Sequence, residues 1–420
     1  MTDKVMFTTI RLGDVCDKIG SGATPRGGRD VYLSNGVSLI RSQNVYNDHF
    51  QQEGLAHISD EHADELANVT VQAGDVLLNI TGDSVARCCH VPSNIFPARV
   101  NQHVAIIRPN PSKLNPRYLM YYLVSPSMQR HMLTLAGAGA TRNALTKGMI
   151  EDFNVPSPPL SVQNAIAHIL GTLDDKIELN RRMNETLEAM TRAIFKSWFV
   201  DFDPVRAKAE GRDTGLRPRL AELFPNRFQD SELGEIPAGW RVDSLGNLIE
   251  LAYGKALKQE DRRLGGVAVY GSNGRVGWHD ERLIAGPGIV VGRKGNPGVV
   301  TWVPMDFFPI DTTFYVVAKG ECRSLQFLFY ALRTQDLASL GADSAVPGLN
   351  RNLAYMSQQI VPSGSMLETF DALVQPLYQR IYEAENESRT LASIRDALLP
   401  KLLSGEIRIK DAERFVEGVA

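Results

Sequence analysis

The chain has 420 residues, enough for two or three domains. Hydrophobic residues make up 43% of it, so it can bury real cores and is not a disordered chain. The formal net charge is −3, from 45 basic and 48 acidic residues, which does not by itself indicate a nucleic-acid-binding protein. Any contact with nucleic acid would therefore have to come from local patches of basic residues.

The sequence also argues against a membrane or secreted protein. No apolar run approaches the ~20 residues that span a bilayer, and the N-terminus lacks an apolar stretch followed by a cleavage site. The cysteines are Cys16, Cys88, Cys89 and Cys322, and none has Cys-x-x-Cys spacing. We therefore expect no zinc site, no disulfide framework, and free thiols in a cytoplasmic protein.

Short β-branched runs between Gly, Asn and Pro turns predict strands in two separate stretches of the chain. The clearest are residues 71–80 and 104–107 in the first stretch, and residues 267–270, 289–291 and 314–317 in the second. Each stretch is followed by a long helical pattern. The order is globular unit, helix, globular unit, helix, and the fold class is mixed α/β or α+β.

The two helical patterns carry heptad seams, in which apolar residues recur in steps of three and four. Phe370 lies 204 positions after Ile166 (370 − 166), and the other seam positions keep this offset. Seams this long and narrow bury most easily against each other, so we predict an antiparallel coiled coil that holds two globular units a fixed distance apart. The alternative is two ordinary core helices, each packed on its own domain. The predicted interface residues are Ile166, Leu170, Leu173, Ile177, Leu187, Ile194, Trp198, Phe370, Leu377, Ile381, Leu391, Leu398 and Leu402.

These patterns predict five segments. A globular unit spans 1–157, a helical region 158–202, a linker rich in Gly, Pro and basic residues 203–236, a second globular unit 237–362, and a second helical region with a tail 363–420. The globular units resemble each other at short motifs, with drifting offsets that indicate loop insertions. Gly82 matches Gly295, for example, and Arg142-Asn143 matches Arg351-Asn352.

Loops of glycine, small polar and basic residues recur in both globular units. Glycine lets the backbone approach a phosphate, and Arg, Asn and Gln can address base edges with two hydrogen bonds. Arg293 and Lys294 are the strongest candidates for contact with DNA. The candidate DNA-binding residues are Ser21, Thr24, Arg26, Arg41, Gln43, Asn44, Thr81, Asp83, Ser84, Asn101, Gln102, Arg142, Asn143, Ser272, Asn273, Arg275, Arg293, Lys294, Asn296, Asn350 and Arg351.

Motifs of catalysis are missing. The segment Gly254-Lys255-Ala256 lacks the upstream glycine and the hydroxyl of a phosphate-binding loop, and no Asn-Pro-Pro-Tyr type loop or His-Glu-x-x-His occurs. Asp174-Asp175-Lys176 lies beside the heptad seam, where surface charge is the simpler explanation. We therefore expect no catalytic residue, metal site or cofactor in this chain.

At several of these places the sequence resembles the specificity subunits of type I restriction–modification enzymes. The resemblance rests on Gly22-Ala23-Thr24-Pro25, on Leu173-Asp174-Asp175-Lys176-Ile177, and on the ending Leu398-Leu399-Pro400-Lys401-Leu402-Leu403-Ser404-Gly405-Glu406-Ile407. It covers essentially the whole chain. Tyr253-Gly254-Lys255-Ala256 replaces the Gly-x-Thr-Pro loop in the second half, which suggests that the two halves read different sequences.

The resemblance implies two target-recognition domains related by a pseudo-two-fold axis, each reading one half of a split double-stranded DNA target. Modification subunits would dock on the coiled coil with S-adenosylmethionine, and motor–nuclease subunits would bring ATP and Mg²⁺. Two alternatives remain open. One is the recognition subunit of a type IIB/IIG-like restriction–methylation enzyme, and the other is a coiled-coil adaptor that binds protein only. A stand-alone methyltransferase is disfavoured by the missing catalytic loops.

Overall fold

The structure is a computed structural model that describes residues 7–47, 49–138, 143–341 and 348–418. It divides into two compact units, the first formed by residues 1–180 with 386–420 and the second by residues 181–385. This division cuts both long helices near their middle. The five segment boundaries drawn from the sequence remain predictions.

From the first described residues to the end of the first long helix at Phe199, helices and strands alternate along the chain. In chain order its elements are β1 (Thr9–Arg11), β2 (Cys16–Ser21), β3 (Val37–Ile40), β4 (Ala56–Ile58), α1 (Asp60–Glu65), β5 (Val76–Asn79), β6 (Cys88–His90), β7 (Ala98–Val100), β8 (Val104–Pro109), α2 (Pro116–Val124), α3 (Pro126–Gly137), α4 (Lys147–Glu151), β9 (Asn154–Pro156) and α5 (Leu160–Phe199).

The rest of the chain repeats this succession after an insertion. Its elements are α6 (Asp203–Ala209), α7 (Pro218–Ala221), β10 (Phe228–Ser231), β11 (Gly234–Pro237), β12 (Arg241–Ser244), α8 (Leu245–Leu248), β13 (Ile249–Tyr253), β14 (Val267–Gly271), β15 (Gly274–His279), β16 (Gly288–Gly292), β17 (Val300–Val303), β18 (Phe307–Pro309), β19 (Thr313–Ala318), α9 (Leu325–Thr334), α10 (Arg351–Met356), β20 (Gln358–Val361), α11 (Gly364–Leu403) and α12 (Ile409–Glu417).

The sheets of the two units have the same strand order. The first unit has a four-stranded sheet β2-β8-β5-β6 and a three-stranded sheet β4-β3-β7, and the second has β13-β19-β16-β17 and β15-β14-β18. In both three-stranded sheets the central strand pairs in parallel with the third strand, as β3 does with β7 and β14 with β18. The internal repeat predicted from the sequence is therefore a repeat of topology.

The apolar runs predicted as strands are the buried centres of these sheets. All residues of β3, β5 and β16 are buried, as expected for strands covered on both faces. Leu78 of β5 lies opposite Ala105 of β8, and Val291 of β16 lies opposite Phe314 of β19. These registers align the two units residue by residue.

In the first unit the helices α5 and α11 pack against each other in opposite directions. Asp174 accepts a hydrogen bond from Arg395 Nη1 at 2.8 Å, and one turn and a half further along α5, Asn180 donates to Glu387 and Ser388. The Tyr121 hydroxyl of α2 also donates to Asp174, at 2.5 Å. Burial, and then the charge of Asp174, raise the pKa of Tyr121, which keeps its hydroxyl a donor.

The same antiparallel packing occurs within the second unit. Asn184 of α5 donates to the Ile381 carbonyl of α11 at 3.4 Å. Towards the end of α5, the Trp198 and Phe195 rings lie 6.1 and 6.2 Å from the Phe370 ring near the start of α11. All the predicted seam residues are buried or half-buried. The fold class is confirmed: two mixed α/β domains with two long helices that form an antiparallel coiled coil.

The alternative of core helices also holds in part, because each helix pair joins the core of its unit. Ile166, Leu170 and Leu398 belong to one apolar cluster with Tyr118 and Leu12 of the first globular domain. A narrow heptad seam shows which residues face inward, but not that the seam also meets a sheet-and-helix domain.

The segment predicted as a linker has secondary structure of its own. It contains α6, α7 and the antiparallel hairpin of β10 and β11. Val205 and Phe224 are buried in the aromatic core of the second unit. Its Gly, Pro and basic residues form turns and short helices packed on this core.

Within the described chain the cysteines form no disulfide. Burial raises the pKa of Cys16 and Cys322 to about 12, so both thiols stay protonated at neutral pH. No helix in the described ranges is long and apolar enough to cross a membrane.

The polar network around Asp174 gives a first prediction. Asp174→Ala leaves Arg395 with the exposed Asp396 as its ionic partner and the Tyr121 hydroxyl without its acceptor. We expect the free energy of unfolding to fall by about 2–3 kcal/mol, measured by urea denaturation. Asp175→Ala is the matched control. Its carboxylate is 69% exposed and pairs with Arg117, so its loss should cost under about 1 kcal/mol. Equal effects at both positions would contradict the prediction.

Candidate nucleic-acid interface

In the first unit, several loops that the sequence singled out meet at one end of the four-stranded sheet. Asn79, the last residue of β5, lies opposite Val104, the first residue of β8. Ser21, the last residue of β2, lies opposite Ala105. The loop after β3 joins them, because the Asn101 amide donates to the Ile40 carbonyl. The loops after β2, β3 and β5 and the turn before β8 therefore share one edge, which we call the loop end.

The second unit brings the equivalent loops together in the same way. Gly292, the last residue of β16, lies opposite Thr313, the first residue of β19. Tyr253, the last residue of β13, lies opposite Phe314, and Tyr270 of β14 lies opposite Pro309 of β18. The loops after β13, β14 and β16 and the turn before β19 form the loop end of this unit.

Glycine is required where the first of these loops leaves the sheet. A Cβ at Gly22 would lie 1.8 Å from the Val100 carbonyl oxygen, and one at Gly254 would lie 2.1 Å from the Ile310 carbonyl oxygen. The two amides also match, since Gly22 donates to Val104 and Gly254 to Thr313. The Gly-x-Thr-Pro loop and its replacement are therefore structural equivalents, built around a close backbone approach.

The loops after β5 and β16 start and end alike. The Asn79 amide donates to the Arg87 carbonyl in the first unit, and the Gly292 amide donates to the Val299 carbonyl in the second. Gly82 and Gly295, which match in the sequence, also match in backbone conformation. Their φ angles are 75° and 85°, in the region that favours glycine. Arg87 and Val299 thus occupy equivalent positions at the far ends of the two loops.

A buried amide ties two of the first unit's loops together. The Asn79 side chain is fully buried and donates to the Ser42 carbonyl at 2.8 Å. Between these loops lies an open cavity of about 400 Å³. Thr81 and His103 meet at its wall, with 2.6 Å between Oγ1 and Nδ1. The residues that line it are Ser42, Gln43, Tyr46, Thr81, Gly82, Asp83, Ser84, Arg87 and His103.

The loop end of the second unit carries a cationic cluster on an aromatic ring. Tyr253 is 54% exposed, and the guanidinium groups of Arg293 and Arg351 lie 5.4 and 5.0 Å from its ring centroid. Arg293 also donates to the Asp311 carbonyl from Nε at 3.0 Å and from Nη2 at 2.7 Å. The ring and the carbonyl therefore hold this guanidinium in one orientation at the surface.

A polar contact joins two further loops of the second unit. The Asn296 amide donates to the Asn273 side-chain oxygen, so the loops after β14 and β16 touch at exposed residues. Lys294 is exposed beside them. These side chains bring donors, acceptors and positive charge to one surface, which is what phosphate and base-edge contacts need.

Some predicted DNA-contacting side chains have a structural role in place of that contact. Asn44 is fully buried, donates to the Gln51 carbonyl and accepts from the Arg41 amide. Asn101 is buried and accepts from the His103 amide. Burial takes both amides away from the surface, so they shape the loops that carry their neighbours. Sequence alone could not separate them, because Asn serves loop closure and base recognition equally well.

Two more predicted residues are engaged with the backbone. Asn350 caps α10 by accepting from the Asn352 and Leu353 amides. Arg41 donates from Nη2 to the Gly54 carbonyl at 2.5 Å and lies over the Tyr32 ring. Both remain half-buried, with part of the side chain at the surface.

The match of Arg142-Asn143 with Arg351-Asn352 is wrong by several positions. Leu145 donates to Ile80 as Leu349 donates to Arg293, so the offset here is 204 (349 − 145). Thr146 and Asn350 are then equivalent helix caps, and Arg351 is equivalent to Lys147. The short Arg-Asn identity therefore does not mark equivalent positions. Arg142 itself lies outside the described residues.

The other candidates differ in how far they reach solvent. Exposed candidates are Ser21, Thr24, Arg26, Gln43, Asp83, Gln102, Asn143, Asn273, Arg275, Lys294 and Asn296, and half-buried candidates are Thr81, Ser84, Ser272, Arg293 and Arg351. Thr24 donates to Gln102, which connects the loop after β2 to the turn before β8. Arg275 lies 4.8 Å from the Trp278 ring on β15.

The sequence did not identify two residues of the first unit's cavity. Tyr46 and Arg87 line it, and the Arg87 guanidinium lies 4.6 Å from the Tyr46 ring centroid. His103, which also lines it, belongs to a loop that the sequence does single out, Asn101-Gln102-His103. Arg87 stands between Ala86 and Cys88 with no motif around it, and only the fold brings it to Tyr46. In the parts of the chain described, no cluster of three or more His, Cys, Asp or Glu side chains could hold a metal ion.

The glycine at the start of the loop end gives a second prediction. Gly22→Ala places a Cβ against the Val100 carbonyl, which must shift, so we expect the free energy of unfolding to fall by about 1–3 kcal/mol. Gly20→Ala, two residues earlier in β2, is the control, because no atom lies within 4 Å of the added Cβ. Thermal unfolding of both variants checks this. A Gly22→Ala midpoint equal to that of Gly20→Ala would show that the close approach is dispensable.

Comparison with known proteins finds similarity to one family. A family model for the type I restriction modification DNA specificity domain matches residues 4–189. The specificity subunit of the type I restriction enzyme HindI of Haemophilus influenzae is 25% identical, covering 88% of this chain and 94% of that protein. The MjaIX specificity subunit of Methanocaldococcus jannaschii is 24% identical, covering 94% of this chain and 92% of that protein.

The fold agrees with these sequence matches. The S subunit of a type I restriction–modification system from M. genitalium superposes with a TM-score of 0.60 and 17% identity, covering 96% of this chain and 97% of that one. The match over both chains includes the repeated domains and the long helices. Residues 4–189 thus match the type I specificity domain, and over most of its length the chain is similar to the specificity subunits of type I restriction enzymes.

Proposed function

We propose that this chain selects the DNA target of a type I restriction–modification complex, with each loop end contacting one half of a split double-stranded site. The observation that carries the proposal is the recurrence of one loop end in both units, on sheets of identical strand order. A protein that reads two different half-sites needs the same scaffold twice, with different side chains on it.

The side chains at equivalent positions support two different readings. From the strand registers, Gln43 corresponds to Asn273 (offset 230), and Asp83 corresponds to Asn296 (offset 213). Amides can bind adenine with two hydrogen bonds, whereas a carboxylate accepts from cytosine N4. Gln43 and Asn273 therefore offer the same kind of group, an amide, whereas Asp83 and Asn296 offer different hydrogen-bonding patterns to a major groove.

The net charge of −3 does not oppose this role. Arg293 and Arg351 concentrate positive charge on the loop end of the second unit, and partner subunits can supply further phosphate contacts. The chain itself would hold no cofactor and carry no catalytic residue. S-adenosylmethionine, ATP and Mg²⁺ would be held by modification and motor–nuclease subunits.

We propose the long helices as the surface on which those partner subunits dock. Leu179 and Met190 of α5 are 60% and 48% exposed, although most apolar residues of this helix face inward. The two residues are 11 positions apart (190 − 179), about three helical turns, so they lie on one face of the helix. We infer that modification subunits dock there, and that the coiled coil sets the unread spacer between the half-sites.

The third prediction concerns the target itself. Methylation sites are sequenced in a host that carries this chain with its modification subunit, and in the same host lacking only this chain. We expect methylation at a split motif with a fixed spacer only when the chain is present. Unchanged methylation would remove the specificity role and favour an adaptor that binds protein only. A continuous motif would mean that a single unit reads the DNA.

The fourth prediction concerns Arg293, whose guanidinium is fixed on Tyr253. Arg293→Ala should weaken binding of the assembled complex to its specific DNA by about 1–3 kcal/mol, because one oriented cation is lost from the interface. Assembly with the modification subunit, followed by size-exclusion chromatography, should be unchanged. Loss of assembly would instead assign Arg293 to a protein interface.

Arg323→Ala is the matched control for charge. Arg323 is exposed, and it follows the end of β19 that is remote from the loop end. This substitution removes the same charge from the same unit as Arg293→Ala, so a nonspecific electrostatic effect should appear in both variants. Equal weakening by the two substitutions would contradict a specific role for Arg293.

A further inference from the structure

Arg87 is held in a way that leaves its hydrogen-bond donors available. Its guanidinium lies 4.6 Å from the centroid of the Tyr46 ring, which also stacks on His49 at 4.9 Å and an interplanar angle of 10°. Within the described ranges, no side chain or carbonyl accepts a hydrogen bond from this guanidinium. A planar cation fixed on a ring keeps its fork of donors in one orientation at little entropic cost.

The backbone beneath Arg87 is fixed from two directions. Its carbonyl accepts from the Asn79 amide at 2.8 Å, and the preceding Ala86 carbonyl accepts from Gln129 Nε2 at 2.9 Å. Ala86 is fully buried and has a φ of 74°, a backbone conformation that residues other than glycine rarely adopt. Strained backbone that the surrounding structure enforces is concentrated at functional sites.

The cavity beside Arg87 is lined by groups that complement a base pair better than a phosphate. Asp83 is exposed and lines the same cavity, together with Gln43, Ser84 and Thr81. A carboxylate in the cavity repels phosphate oxygens. It matches the amino group at cytosine N4, while arginine matches the O6 and N7 acceptors of the paired guanine.

The second unit lacks this feature. The position equivalent to Arg87 is Val299, whose carbonyl accepts the equivalent hydrogen bond from Gly292. Asn296 stands where the first unit has Asp83, so both polar members of the pair are changed. At these described positions the Arg87–Asp83 pair therefore has no counterpart in the second unit, although the backbone around it is repeated.

We propose that Arg87 and Asp83 read a G·C base pair in the half-site contacted by the first unit, with Arg87 donating to guanine O6 and N7 and Asp83 accepting from cytosine N4. This rests on the proposed function, since it assumes that the loop ends contact DNA. It adds the identity of one base pair and the two side chains that select it.

The test uses the full chain assembled with its modification subunits. Binding is measured against duplexes carrying every single-base-pair change in the methylated motif, for the wild type and for Arg87→Val, Arg87→Lys and Asp83→Asn. Arg87→Val installs the residue that the repeat already tolerates at this position. Arg87→Lys keeps the charge but removes the fork. Lys113→Ala is the control, because Lys113 is exposed beyond Pro109, the end of β8 remote from the loop end.

We expect the wild type to require G·C at one position of one half-site. Arg87→Val and Arg87→Lys should each lose roughly 5- to 140-fold of that preference, with the other positions and the other half-site unchanged. Asp83→Asn should relax the same base pair. Lys113→Ala should bind like the wild type. This pattern, confined to one base pair, supports the proposal.

Three results would overturn it. Uniform weakening across all duplexes by Arg87→Val, with a smaller salt dependence and rescue by lysine, would make Arg87 a phosphate contact. Unchanged preferences in all variants would place the cavity away from the DNA. A requirement for A·T at the affected position would contradict the hydrogen-bonding pattern. If the wild type directs no methylation to a split motif, the proposed function itself is refuted. If the split motif is present but these variants leave its base preferences unchanged, only the proposed role of the cavity is refuted.

Discussion

The register between the central strands of each four-stranded sheet is the constraint on which the candidate interface depends. Asn79 faces Val104 in the first unit, and Gly292 faces Thr313 in the second. These pairs set the loop after one strand beside the turn before the next. Because a slip by one residue turns every side chain to the opposite face, the buried runs of β5 and β16 also fix the loops at their ends. The apolar core thereby determines where the polar side chains of the candidate interface lie.

A repeat of this kind separates the residues that build the loop end from those that occupy it. Gly22 and Gly254 are retained in both units, because any Cβ would strike a carbonyl oxygen. Arg87 and Val299 differ completely, although their carbonyls accept equivalent hydrogen bonds. The backbone position is constrained and the side chain is not. Such positions can change without cost to the fold, as the proposed reading of two different half-sites requires.

The sequence predicted the helices and strands well because their apolar residues follow a regular spacing, which the loops lack. The heptad seam from Ile166 to Trp198 gave both the long helix and its inward face, because an apolar period reports burial directly. The continuous apolar runs gave the central strands for the same reason. In the loops no period exists, so residue type was the remaining guide, and the buried Asn44 looked the same as the exposed Asn273. The cavity was missed because Tyr46 and Arg87 are 41 positions apart (87 − 46) and only the fold brings them together.

At each loop end an arginine lies on an aromatic ring, which distinguishes it from basic side chains that are merely exposed. An exposed lysine or arginine is usually solvated, and its presence in a sequence indicates little about contact. Arg87 on Tyr46 and Arg293 on Tyr253 are instead oriented before any ligand arrives. Orientation lowers the entropy lost on binding and favours planar partners with two acceptors. Arg293 also donates to a neighbouring carbonyl, whereas the described chain gives Arg87 no acceptor. The first unit is therefore the one whose arginine has its full set of donors to offer to a base.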